Sequence, residues 1–112
     1  MAKKPKVPAH LEPETQRWVR QILDEFELES HHFRQLILTA QAWDRAEQAR
    51  KIIAAEGLTV LDRYGTAKAH PAVAIERDSR TAFHRGIREL ALDGENPSES
   101  RPPRTADYGS RR

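Results

Sequence analysis

Trp18, Val19, Ile22, Leu23 and Phe26 recur at spacings of three and four, so on a helix they share one stripe, with Arg17, Arg20, Asp24 and Glu25 largely outside it. The pattern predicts a first helix over 13–27. Pro13 suits its first turn because its φ is already helical, and Glu12 and Glu14 face the positive end of the helix dipole.

A second, longer helix is expected over 30–56. Ser30 is a good N-cap type, Gly57 supplies a left-handed position beyond the last turn, and Leu58 offers the hydrophobic contact that often follows. Its first half gathers Phe33, Leu36, Ile37, Ala40 and Trp43 on one face. A second set, Leu38, Ala42, Ala46, Ala49 and Ile53, falls on roughly the opposite side. A helix serving one core keeps one stripe, so two offset stripes predict packing against two bodies: the chain's own first and third helices, and a neighbouring subunit. Leu38, Ala42, Trp43, Ala46, Ala49 and Ile53 are the candidate interface residues.

Between residues 58 and 70, β-branched and aromatic positions surround a turn signal at Gly65, which predicts a short hairpin or ordered extended connection. Pro71 opens a third helix over 71–92, and steric clash with its ring holds His70 extended. Val73, Phe83, Ile87, Leu90 and Ala91 form the stripe of that helix, which stops before Asp93-Gly94. The expected architecture is all-α: a three-helix unit over 11–92 with one long central helix and a short extended connection. A flexible arm over 1–10 and a disordered tail over 93–112 flank it, the tail having almost nothing to bury.

About 80 residues make a marginal core, and 38% hydrophobic against 32% charged positions suit a helical protein that completes its burial with partners. The absence of cysteine excludes disulfides, thiolate metal sites and a thiol nucleophile, and agrees with a reducing compartment, the cytoplasm. No apolar run approaches the roughly 20 residues of a membrane span, and the first residues lack the apolar segment of a signal peptide. The net charge of +2 is small but unevenly placed, with Lys3, Lys4 and Lys6 in the arm and Arg101, Arg104, Arg111 and Arg112 in the tail. Basic residues on arms of this kind can follow a DNA backbone, and they can equally be plain solubilising tails.

Catalytic constellations are scarce. There is no phosphate-cradling glycine loop, no zinc-protease motif and no nucleophile elbow. His31 and His32 point about 100° apart on a helix, which argues against a shared metal. His70 and His84, with Asp78 or Asp62, form no pair that the spacing requires; His70 reads as the residue fixing the loop-to-helix junction. Arg77, Arg80, Arg85 and Arg88 are interleaved with Glu76, Asp78 and Glu89, as on a solvated helix face. Trp18 and Trp43 lie on helical stripes and read as core or interface anchors. No cofactor is expected.

The run Thr39-Ala-Gln-Ala-Trp-Asp-Arg-Ala-Glu-Gln-Ala, followed by Ala55-Glu-Gly-Leu-Thr-Val, Tyr64-Gly-Thr-Ala-Lys-Ala-His-Pro-Ala and Arg85-Gly-Ile-Arg-Glu-Leu-Ala-Leu, resembles the P27 family of phage terminase small subunits over Phe33 to Leu92. Gly65, Lys68 and Pro71 carry its most specific element. The resemblance implies a non-catalytic packaging subunit that forms rings, engages double-stranded viral DNA and stimulates the ATPase and nuclease of the large terminase subunit. It gives Gly57, Gly65 and Pro71 backbone roles and makes Lys68, beside Lys3, Lys4, Lys6, Arg101 and Arg104, a candidate for DNA contact. The chain departs from the family after Leu92, where Asp-Gly-Glu-Asn-Pro replaces a small residue, Pro and a basic segment. A small helical DNA-binding regulator acting as a dimer is the alternative.

Overall fold

The computed structural model describes residues 5–91, in the order α1 (Pro13–Glu25), α2 (Ser30–Glu56), β1 (Thr59–Leu61), β2 (Ala67–Ala69) and α3 (Pro71–Leu90). The protein is all-α apart from this small antiparallel hairpin. The helices begin where the sequence places them. α1 stops at Glu25 rather than at 27, as Phe26 turns extended, and α3 ends at Leu90, because Ala91 takes the left-handed conformation at φ 58 and ψ 36. The expected end of α3 at Leu92 lies outside the described residues.

α2 is the spine, about 40 Å long at 1.5 Å per residue. Its first half packs against α1 through Leu36 and Ala40, both fully buried, which meet Leu11, Val19, Ile22 and Leu23. Phe33, Ile37 and Leu28 pack around this cluster, so the first apolar stripe does what its spacing predicts. Val7 also packs on it. The packed unit therefore reaches back into the segment expected to be a flexible arm, because one apolar residue there finds a place on the core.

α3 runs antiparallel along α2 after the hairpin reverses the chain. Ala46 and Ala49 of the second stripe are buried within the chain, and at Gly86 the helices come close enough that a Cβ would overlap the Thr39 side chain. Small residues on both sides permit this approach, and Thr39 keeps its hydroxyl satisfied by donating to the Gln35 carbonyl at 2.8 Å.

In the hairpin, Thr59 pairs with Ala69, Val60 with Lys68 and Leu61 with Ala67. Asp62 and Thr66 close a three-residue loop. The Asp62 carboxylate accepts from the Tyr64 and Thr66 amides at 2.8 and 2.9 Å, and Gly65 supplies φ 79. Gly57 also has positive φ, but its pair of φ 94 and ψ 172 is not the left-handed helical conformation expected after α2. It lies in a region open essentially to glycine alone, which turns the chain straight from helix into strand. Leu58, where a hydrophobic closing contact is expected, is 64% exposed.

Candidate functional site

The N-terminus of α1 has no side-chain cap of its own at Glu12. Asp44 of α2 supplies one instead. Its carboxylate accepts the Glu12 amide at 2.9 Å and the Thr15 hydroxyl at 2.5 Å, with Asp44 and Thr15 both buried. This stabilises a charge that burial alone would penalise, by hydrogen bonding and by the positive end of a helix. Sequence reasoning missed Asp44. It sits next to Trp43 on a helix full of charges, and nothing local marks it as the cap of a helix about 30 residues earlier. α2 likewise starts without the cap expected from Ser30; Glu29 holds the cap position, and Ser30 is already helical.

Above this junction Trp18 of α1, Trp43 of α2 and Phe83 of α3 come together. The Phe83 ring lies 6.0 Å from Trp18 and 5.2 Å from Trp43, and with Glu14 and Thr15 the three rings line an open cleft of about 220 Å³. Trp43 remains 47% exposed. Next to the cleft, Glu47 is held below its ordinary value of 4.5, chiefly by the hydrogen bond from Arg50, which is 2.9 Å away.

His70 stands at the other end of α3. Its Nδ1 accepts the Ala72 amide at 3.0 Å, capping the helix, which leaves the proton on Nε2 for Glu56 at 2.8 Å. Both ring nitrogens are used structurally, as expected of a junction residue. His84 lies fourteen residues further along the same helix, about 21 Å away, so the two histidines form no acid/base pair.

Of the DNA-contact candidates, Lys3, Lys4, Arg101 and Arg104 lie outside the described residues. Lys6 is exposed, and Lys68 projects from β2 with its Nζ 3.7 Å from Asp62. On α3, Arg77 pairs with Asp78 and Arg80 with Glu76, as on a solvated helix face. His31 and His32 do converge, contrary to the helical-wheel expectation: their ring centroids lie 4.1 Å apart with the planes tilted by 43°, and a nitrogen of each and a Glu29 oxygen lie within 4.8 Å of one another. Rotamers close the gap that backbone angles open. All three are exposed.

The interface candidates divide. Ala46 and Ala49 are covered by the chain itself, Ala42 and Ile53 are half-buried, and Leu38 is 61% exposed. Further along, Ile52, Leu58, Val60, Leu61, Tyr64 and Ile75 also stand exposed.

The fold therefore defines a small helical scaffold whose features are caps, a cleft and uncovered apolar side chains. A family model described as "Phage terminase, small subunit" matches residues 16–107, and the chain belongs to that family. Membership gives it a role in packaging phage DNA, in a family that is generally non-catalytic and works beside a large subunit. No curated protein and no solved structure matches the chain. No described helix is long and apolar enough to cross a membrane.

Proposed function

We propose that the chain works as an assembly of identical subunits that engages viral double-stranded DNA through basic residues and regulates the large terminase subunit. The observation that carries this reading is the apolar surface left uncovered by a single chain: Leu38, Ile52, Ile75 and the hairpin residues Leu58, Leu61 and Tyr64. Exposed apolar residues gathered on one small protein mark interaction sites, and a closed ring gives each subunit two neighbours to cover them. Leu38 and the hairpin tip are the interface residues in this reading. Ala46 and Ala49 support them from beneath by letting α3 approach α2.

Lys3, Lys4, Lys6, Lys68, Arg101 and Arg104 supply phosphate contacts, a mode that follows the backbone without reading sequence. The test is to add the protein to the large subunit and duplex DNA and follow ATP hydrolysis. Stimulation is expected, and it is expected to fall in a Leu38→Asp/Leu61→Asp variant that retains its helical content. A large subunit whose turnover is indifferent to the protein would contradict the reading.

A further inference from the structure

The tryptophan cleft has a chemistry that neither packing nor assembly uses. Its walls are the faces of Trp18, Trp43 and Phe83, and its rim is acidic. Glu14 borders it, and the adjoining surface carries Glu12, Asp44 and Glu47 against one cation, Lys51. Asp44 is committed to the start of α1 and Glu47 to Arg50. Glu12 and Glu14 have no ion-pair partner among the described residues. Indole faces attract guanidinium groups and pack proline rings, and aromatic grooves with acidic rims take proline-rich segments already held in the polyproline conformation.

The sequence carries a basic, proline-containing stretch. Beyond Ala91 the sequence reaches Arg101-Pro102-Pro103-Arg104, and from Arg101 to Arg112 four arginines face a single acid, Asp107. Reach favours it as well. Phe83 lies only about 10 Å back along α3 from Leu90, whereas the ten residues from Ala91 to Arg101 can span up to about 33 Å. The other basic end starts in the wrong place. Lys6 lies beside Arg20, Leu23 and Asp24, roughly 15 Å along α1 from Glu14.

We propose that Arg101–Arg104 docks into the Trp18/Trp43/Phe83 cleft of its own chain, an arginine over an indole face and against Glu14. A polyanion that binds the same arginines competes with the cleft. The docking itself does not depend on the DNA reading above, and its test uses neither DNA nor the large subunit.

Both tryptophans of the chain line the cleft, so acrylamide quenching of intrinsic fluorescence reports its occupancy directly. In the full chain, Arg101→Glu/Arg104→Glu is expected to raise the quenching constant about twofold, since a tethered segment at millimolar effective concentration otherwise covers the rings. Glu14→Lys is expected to raise it similarly, and combining the three changes to restore protection. Quenching unchanged by the double variant would overturn the proposal. So would protection regained when that variant is co-refolded with a Trp18→Phe/Trp43→Phe chain that keeps its arginines, since the tail would then come from a neighbour.

Discussion

The two ends of α2 live in different surroundings. At its start three helices meet, Leu36 and Ala40 are sealed from water, and a buried carboxylate caps the neighbouring helix. At its finish α2 has only α3 beside it and the hairpin beyond, and Ile52, Leu58, Leu61 and Tyr64 face solvent. An isolated two-stranded hairpin is marginal in water. The contrast teaches a division of labour: one end of the spine holds the subunit together, and the other end presents it.

Substitutions sharpen that contrast. Leu36→Ala is expected to have the largest effect, about 2–5 kcal/mol by chemical denaturation, because it opens a cavity in the sealed cluster. Asp44→Ala follows at about 1–3 kcal/mol, since it strips the Glu12 amide and the Thr15 hydroxyl of their acceptor. At the far end, His70→Ala removes a cap and is expected to cost about 1 kcal/mol. Leu61→Ser is expected to change stability of the single chain by no more than about 0.5 kcal/mol while weakening self-association on a sizing column. A Leu61→Ser chain as destabilised as Leu36→Ala would erase the distinction between the two ends.

The helices were legible in the sequence because their signals are local. Pro13 and Pro71 mark starts, the spacing of Phe33, Leu36, Ile37 and Ala40 marks the core face, and Gly65 marks the turn. The extended His70 before Pro71 was legible for the same reason, although its two hydrogen bonds were not. What escaped depends on long-range geometry. Asp44 caps a helix it does not belong to, Gly86 is small because Thr39 lies opposite, and the second stripe of α2 is partly used by α3 rather than left wholly for a neighbour. The cleft shows the same limit. Trp18, Trp43 and Phe83 were each visible as stripe residues, but nothing in three separate patterns states that they converge.

The central claim is that Leu38, the exposed end of α2 and the hairpin are covered by further copies of the chain. Its most direct test is the mass of the purified full-length protein, measured by light scattering across a range of concentrations. A stable assembly of several subunits is expected, one that Leu38→Asp/Leu61→Asp dissociates into folded single chains. A protein that remains monomeric at every concentration would contradict it, and a stable dimer protecting a short palindromic site would point to a DNA-binding regulator instead.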